Sequence, residues 1–168
     1  MEVRFRDIQP TIDRDAILEF HCFNNYQSES PFYRSIPYEE YRKSWLKSPQ
    51  PEEVLLTMAK DLDNPRNIVQ FAIIDGKLAG FLWVRFEDFT MTLLDIKKTH
   101  AVIYGLSVKD EYQRKGVGLK ILTYIEQEAR RKGASLIRSG TGTENTASQK
   151  LHEAYGFKVY YVEYEKKL

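Results

Sequence analysis

The chain has 168 residues, of which 42% are hydrophobic and 29% charged, with a formal net charge of +1. These values predict one soluble globular domain over residues 1–168, and the near-neutral charge argues against nucleic acid or an anionic membrane as a partner. No apolar run approaches the ~20 residues that span a bilayer, and the amino terminus lacks a signal core, so we expect a cytoplasmic protein. The single cysteine, Cys22, excludes an internal disulfide and a multi-cysteine zinc site, and we expect no metal.

The first half of the chain contains patterns for a strand, several helices and a hairpin. In chain order they predict a strand over Val3–Ile8, a helix from Asp13 to about Asn24, a loop or broken helix over Asn24–Pro37, helices over Tyr38–Leu46 and Pro51–Lys60, and strands over Ile68–Ile74 and Leu78–Phe86. Asp75-Gly76, between the last two strands, is a strong hairpin signal. Phe86–His100 interrupts the alternation, and we expect a loop or a ribbon extension there.

The second half alternates strands with helices. It predicts strands over Ala101–Val108, Ser135–Ser139 and Phe157–Tyr164, the second of them buried, a helix that ends at Gly133, and a helix from about Asn145 to Tyr155. The first of these helices has one apolar face, which consists of Val117, Ile121, Leu122, Ile125 and Ala129. The order of the elements predicts a mixed α/β class.

Gln113–Gly118 contains two glycines two residues apart, between a predicted strand and a predicted helix. Glycines at such a turn allow a tight bend and a close approach of the backbone to a ligand. The helix that follows contributes unpaired amide N–H groups and the positive end of its dipole, while Arg114 and Lys115 add positive charge. The turn therefore predicts a site for a phosphate or a pyrophosphate.

Two common phosphate-binding patterns do not fit this turn. The Walker pattern requires Gly-Lys-Ser/Thr, which the chain lacks, and the dinucleotide pattern requires a third glycine where Ile121 stands. Gly140-Thr141-Gly142 fails the same test, because Asn145 occupies the position of its third glycine. A glycine-rich helix start with a solvated Arg-Lys pair is the plain structural alternative.

The pattern Gln-x-x-Gly-x-Gly, after a strand that ends Gly105-Leu106-Ser107-Val108, resembles motif A of the GNAT family of N-acetyltransferases. In that family the turn amides hold the pyrophosphate of acetyl-CoA, and the end of the strand pairs with the pantetheine arm. The resemblance implies roles in binding acetyl-CoA for Leu106, Ser107, Val108, Gln113, Arg114, Lys115, Gly116, Val117 and Gly118.

A second segment, Asn145–Phe157, resembles motif B of the same family, an asparagine followed by a helix that ends in Gly-Phe. The resemblance implies that Asn145 and Ser148 contact the pantetheine arm. Helical spacing independently predicts two faces. One face is polar and consists of Asn145, Ser148, His152 and Tyr155; the other consists of Ala147, Leu151 and Ala154, and we expect it to pack on the sheet.

The resemblance covers nearly the whole chain, although its specific motifs lie within residues 101–157. It implies the acyl-CoA N-acyltransferase fold, in which a central mixed, mostly antiparallel sheet is flanked by helices. It also implies a transferase that uses acetyl-CoA as the acyl donor and a primary amine of a small molecule or peptide as the acceptor. The transfer would be direct, within a complex of both substrates.

Two departures from the family pattern concern catalysis. The family often has a tyrosine four residues before the Gly-Phe pair, as the acid that protonates the leaving thiolate, and here that position holds His152. Tyr155 is displaced to the residue before Gly156. Many members also have a glutamate in the strand before motif A, and no carboxylate lies in Ala101–Val108. His152 and Tyr155 are therefore our candidate catalytic residues, and the identities of the acid and the base stay open.

Carboxylates near the expected acceptor side suggest what the acceptor is. Glu87 and Asp88, with Asp95, lie in the stretch that breaks the sheet pattern, where they could attract and deprotonate an ammonium group. Solvated loop carboxylates are the plain alternative, because Asp and Glu are mostly exposed. We keep Glu87 and Asp88 as candidate substrate-binding residues.

A second function of a different class is open at this point. A CoA-binding regulatory or interaction module of the same fold, without turnover, would also explain the missing carboxylate and the missing tyrosine. Acetyl transfer to a panel of amines would separate the two hypotheses. The sequence does not decide the oligomeric state, and we leave a homodimer open.

Overall fold

The computed structural model of this chain describes residues 1–32, 34–94 and 96–168, without the side chain of Thr92, and within them five strands form one sheet in the order β1-β2-β3-β4-β5. Neighbouring strands are antiparallel, except β4 and β5, which are parallel. The strands are β1 (Arg4–Asp7), β2 (Ile68–Ile74), β3 (Lys77–Met91), β4 (Ile96–Val108) and β5 (Ala134–Ser139). The predicted α/β class with a mostly antiparallel sheet is confirmed.

Helices cover both faces of the sheet. They are α1 (Arg14–Ser28), α2 (Tyr38–Lys47), α3 (Gln50–Leu62), α4 (Val117–Arg131) and α5 (Thr146–Ala154). On one face, apolar side chains of α1, α2 and α3 pack around Phe71, Phe81 and Trp83. On the other face, α4 packs against Leu82, Val84 and neighbouring strand residues. The apolar residues predicted for the α4 face, Val117, Ile121, Leu122, Ile125 and Ala129, are all buried.

The hairpin predicted at Asp75-Gly76 joins β2 to β3. Both residues have positive φ, 49° for Asp75 and 76° for Gly76, as a two-residue turn of type I′ requires. The ribbon extension over Phe86–His100 also forms, because β3 and β4 continue to pair beyond the core, with Glu87 opposite His100. Exposure on both sides of this ribbon removes the alternation that marks a half-buried strand.

Two predictions about the carboxy-terminal third were wrong. β5 is an edge strand rather than a buried one, with Ser135 and Leu136 exposed, because only β4 pairs with it among the described strands. No strand forms over Phe157–Tyr164; Tyr160, Tyr161 and Tyr164 of this segment are exposed. β-propensity alone does not produce a strand, which also requires ladder hydrogen bonds, and this segment pairs with no described strand.

No helix in the described ranges has both the length and the apolar character to cross a bilayer.

α1 is one turn longer than its apolar pattern predicts and ends at Ser28 instead of near Asn24. This extra turn brings the end of α1 over the carboxyl end of β4, beside the candidate site.

Candidate functional site

β4 and β5 separate at the carboxyl end of β5. The last paired residues are Ile103 and Ser139, and β4 then continues to Val108 with no partner on that side in the described part of the chain. A cavity of about 860 Å³ opens between the separated strands. It is bounded by the end of β4, the turn before α4, the last turns of α1 and the length of α5. One edge of the β4 backbone therefore faces a ligand-sized space.

The turn before α4 has the backbone of an anion site. Arg114 (φ 57°) and Gly116 (φ 79°) are both left-handed, so the chain bends twice within the turn. The amides of residues 114–119 donate to no backbone or side-chain acceptor in the described part of the chain. Successive free amides at a helix start form a concave site for phosphate, strengthened by the helix dipole. Left-handed Arg114 costs about 1–3 kcal/mol, a strain that is typical of ligand-binding turns.

Gln113 holds this turn against the end of β4. Its side-chain Nε2 donates to the Val108 carbonyl oxygen at 3.0 Å and to Asp110 Oδ1 at 2.7 Å. The structure therefore gives Gln113 a positioning contact within the protein. Arg114 lines the cavity beside the turn, whereas Lys115 is not among the lining residues.

The structure requires glycine at positions 116 and 118 for two different reasons. A Cβ added to Gly116 would meet no atom within 4 Å, so this position requires glycine through its positive φ. A Cβ added to Gly118 would lie 2.9 Å from Cδ2 of Leu151. Gly118 therefore permits the close packing of α4 on α5, which closes one end of the cavity.

The end of β4 presents backbone rather than side chains to the cavity. Leu106 and Val108 pack toward the core under α4. Ser107 turns to α1 and is only 8% exposed, with its Oγ 3.4 Å from Oδ1 of Asn24. All three residues line the cavity, so a ligand along this edge meets their N–H and C=O groups.

α5 is rotated relative to the prediction. Asn145 caps the helix, since its Oδ1 accepts from the Ser148 amide at 3.1 Å. Ala147 and Ala154 are exposed at the cavity, although the apolar spacing had predicted that they pack on the sheet. Leu151 alone of that face packs against the core, while Ser148 and His152 are half-buried. On the polar face of α5, His152 forms hydrogen bonds within the protein, whereas a solvated face would have bonded to water.

His152 connects α5 to the end of β5. Its Nδ1 lies 2.7 Å from the carbonyl oxygen of Ser148, one helical turn earlier, and its Nε2 lies 2.7 Å from Ser139 Oγ. A carbonyl oxygen only accepts, so Nδ1 carries the proton and Nε2 of the neutral ring accepts from the Ser139 hydroxyl. Sequence reasoning missed Ser139. Its signal was its position as the last residue of a predicted strand, where α/β proteins place ligand-binding groups.

Tyr155, the other candidate acid, lies outside the cavity lining. Its hydroxyl donates to Glu126 Oε2 at 2.7 Å, and its ring packs beside Phe157. Burial raises the pKa of the Tyr155 phenol, and the bond to the Glu126 carboxylate acts in the same direction. The geometry thus separates Tyr155 from the cavity that His152 lines.

The two candidate substrate-binding carboxylates point to opposite faces of the ribbon, and neither lines the cavity. Asp88 is held by Arg66 at 2.8 and 3.0 Å and by Thr99 at 2.8 Å. The Arg66 hydrogen bonds lower the pKa of Asp88 to about 2. Glu87 accepts a 2.8 Å hydrogen bond from the hydroxyl of Tyr104, which does line the cavity. Asp95 lies outside the described residues.

Tyr104 stands beside a charged cluster that lies outside the cavity lining. The Arg85 guanidinium lies 4.1 Å from the centre of its ring, and Asp61 accepts from Arg85 Nε at 2.6 Å. Burial raises the pKa of the Tyr104 phenol, with the hydrogen bond to Glu87 as the second cause. Two carboxylates, Asp61 and Glu87, and one guanidinium therefore surround Tyr104, although none of these three groups lines the cavity.

α1 supplies a wall that the sequence did not predict. Its last turns line the cavity through Phe23, Asn24, Gln27 and Ser28. The loop after β5 packs on them, since a Cβ on Gly142 would lie 2.7 Å from the Gln27 carbonyl oxygen. These contacts limit the cavity on the side away from α4.

Comparisons with known proteins find acetyltransferases. The model of the Acetyltransferase (GNAT) family matches residues 30–157. The L-methionine sulfoximine/L-methionine sulfone acetyltransferase of Salmonella typhimurium is 34% identical over 89 residues, which are 51% of this chain and 47% of that protein. This chain therefore spans about half the length of that relative. The aminoglycoside N(6')-acetyltransferase type 1 of Salmonella typhimurium is 25% identical over 108 residues, which are 64% of this chain and 74% of that protein.

A solved structure shares the fold over its full length. It is AAC(6')-Iy in complex with the bisubstrate analogue CoA-S-monomethyl-acetylneamine, with a TM-score of 0.62, 20% sequence identity and coverage of 100% of both chains. At this identity the likeness concerns the fold alone. It agrees with the fold that the sequence patterns predicted.

Proposed function

This chain belongs to the GNAT family of acetyltransferases, and from that membership we propose that it transfers an acetyl group from acetyl-CoA directly to a primary amine. One observation carries the proposal: the turn with free amides and the open edge of β4 border the same cavity. A pyrophosphate and an amide-containing arm need these two features side by side. His152 then lies at the far end of the cavity from the turn.

The residues present suit acetyl-CoA as the donor. The amides of residues 114–119 suit its pyrophosphate, with Arg114 and Lys115 adding positive charge. The backbone of Leu106–Val108 offers strand-type hydrogen bonds to the two amides of the pantetheine arm. Asn145 and Ser148 lie on the α5 wall of the same cavity. When bound there, acetyl-CoA supplies an activated thioester carbonyl.

The proposed acceptor is a primary amine that arrives as an ammonium ion. An amine with a lysine-like pKa of about 10.4 is only ~0.04% free base at pH 7, so the ammonium ion must lose a proton before its nitrogen can attack. The excess carboxylate charge of Asp61 and Glu87 beside Tyr104 attracts such a cation. The names of the two relatives point to an amino acid analogue and an aminoglycoside as acceptors, and both carry primary amines.

A CoA-binding module without turnover is the rival function. It is favoured by one observation: Asp110 is the only carboxylate among the described residues that line the cavity, and it is bonded to Gln113 at the turn. No carboxylate base therefore stands at the acyl end. Under our proposal, a hydroxyl and an imidazole rather than a carboxylate accept the proton that the amine nitrogen loses as it attacks.

Acetyl transfer to an amine panel tests the function. The protein is incubated with acetyl-CoA and, separately, a polyamine, an aminoglycoside, free amino acids and a peptide; thiol release and the mass of the amine are then measured. We expect acetylation of at least one amine class, with little thiol release when no amine is present. CoA binding by calorimetry without acetylation of any amine would instead support the module.

We also propose that the protein is located in the cytoplasm and that it forms a homodimer. Cys22 is a free, buried thiol, as expected in a reducing compartment. The exposed apolar side chains of Val159, Tyr160 and Tyr161 give a dimer a surface to cover. Cell fractionation tests the first point, and sedimentation over a range of protein concentrations tests the second.

A further inference from the structure

We propose that Ser139 is a catalytic residue whose hydroxyl relays a proton between the acceptor amine, His152 and the leaving sulfur. This inference rests on the proposed function and deepens it. The hydroxyl donates to Nε2 of His152 at 2.7 Å, while Nδ1 is fixed by the Ser148 carbonyl oxygen at 2.7 Å. A hydroxyl, a base and a group that orients the base thus stand in line, the arrangement in which a base can take the proton of a hydroxyl.

Ser139 lies at the closed end of the gap between β4 and β5. It is the last residue paired with β4, opposite Ile103. At ~3.3 Å per residue, the open edge Tyr104–Val108 extends ~16 Å from this point toward the turn. An extended arm whose pyrophosphate binds the turn amides therefore brings its sulfur end close to Ser139.

Among the described residues, no other ionisable group at that end of the cavity fits the task. Among the described lining residues, His152 carries the only imidazole, the side chain that most often transfers protons in catalysis. Burial raises the pKa of Tyr104, and its hydroxyl is already donated to Glu87. Asp110 lies at the opposite end and accepts from Gln113.

The relay balances protons and bonds. The acceptor nitrogen attacks the carbonyl carbon, and the C–N bond forms while the nitrogen loses a proton to Ser139 Oγ and the proton of Ser139 moves to His152 Nε2. The C–S bond then breaks, the sulfur takes a proton from Ser139, and Nε2 returns its proton to Oγ. The products are an amide and a thiol, with both side chains as they began. An ammonium acceptor releases one additional proton to solvent before the attack.

Ser139→Ala tests the relay, with Ser135→Ala as the matched control. Ser135 lies on the same strand, and its Oγ bonds only the Thr99 carbonyl oxygen in the described structure. We expect Ser139→Ala to lower kcat about 10²-fold, at the lower end for proton transfer, with KM for acetyl-CoA unchanged. Ser135→Ala should keep kcat, and Ser139→Thr, which retains a hydroxyl, should recover most of the lost rate. Equal kcat for Ser139→Ala and wild type would overturn the relay.

The double variant Ser139→Ala/His152→Ala separates a relay from a structural role. In a relay both residues serve one proton path, so the double variant should lose no more rate than the worse single variant. Losses that multiply would overturn the proposal, as would an acetyl adduct on Ser139 in the absence of amine, because that would make Ser139 a nucleophile. Wild-type protein that acetylates no amine would overturn the proposed function itself, and the relay with it. Active wild type with an unimpaired Ser139→Ala would overturn the relay alone.

Discussion

The hydroxyl of Tyr104 donates a 2.8 Å hydrogen bond to Glu87, and this bond connects a residue that lines the cavity to one of the carboxylates predicted to bind substrate. Asp88, the next residue, points to the other face of the ribbon, where Arg66 holds it in a two-point ion pair. The charge beside Tyr104 therefore depends on Glu87 and on the Asp61–Arg85 pair. The roles of two adjacent carboxylates thus differ because a strand points successive side chains to opposite faces.

Glu87→Gln should weaken binding of a cationic acceptor. Removal of one partly screened charge is worth up to about 1 kcal/mol, so we expect KM for the amine to rise about two- to fivefold. KM for acetyl-CoA should not change, because its proposed site is at the turn. Glu19→Gln, an exposed carboxylate on α1 outside the cavity lining, is the control. Equal changes in the two KM values would show that Glu87 is a solvated carboxylate that does not specifically bind the amine.

His152→Ala should lower kcat at least about 10²-fold, because the variant has no group to exchange a proton with Ser139. Steady-state kinetics with saturating acetyl-CoA measure this effect, and circular dichroism checks the fold. Tyr155→Phe provides the comparison, since its hydroxyl is bonded to Glu126 outside the cavity. A loss of that size in Tyr155→Phe, with His152→Ala nearly unimpaired, would contradict the assignment.

Gly116→Val should reduce CoA affinity at least about tenfold, because a branched side chain at φ 79° forces the turn to another conformation. The displaced amides would then lose charge-assisted hydrogen bonds worth about 1.5–3 kcal/mol each. Calorimetry with CoA measures the change. Gly133→Val is a matched control, because Gly133 has φ 75° at the other end of α4 and open space around its Cβ position. Unchanged CoA affinity in Gly116→Val would show that the pyrophosphate does not bind at this turn.

His21 should make the protein less stable as the pH falls from about 6.5 to 4. Its ring lies between Trp45 and Trp83, with centroids 6.2 and 5.7 Å away, and its buried Nδ1 has no hydrogen-bond partner among the described residues. Burial lowers the pKa of His21 from 6.5 to about 4. Between these values the unfolded chain binds a proton that the folded chain does not, so the free energy of unfolding falls by up to about 3 kcal/mol.

Urea unfolding at pH 7 and pH 4.5 measures this loss. His21→Phe keeps an aromatic ring between the two tryptophans and removes the titrating group. The variant should therefore lose less stability over the same interval than the wild type does. Parallel losses in the two proteins would show that other groups cause the acid sensitivity.

The sequence by itself determined the features that depend on neighbouring residues. Asp75-Gly76 predicted a turn because its two residues tolerate positive φ, and the structure has that turn. The α4 face from Val117 to Ala129 follows from helical spacing, and it is buried as predicted. The candidate anion site at Gln113–Gly118 also follows from local order: a strand, a turn that bends through Gly116, and a helix start with free amides.

Only the tertiary structure decided which distant groups meet. Ser139 and His152 come within 2.7 Å because β5 ends where β4 continues and α5 folds back across the gap, and no local pattern records that distance. Helical spacing was misleading for α5, since hydrogen bonds of His152 to Ser139 and Ser148 outweigh burial of the small methyl groups of its alanines. The predicted terminal strand likewise did not form, because β-propensity does not by itself make a segment pair with a strand of the sheet.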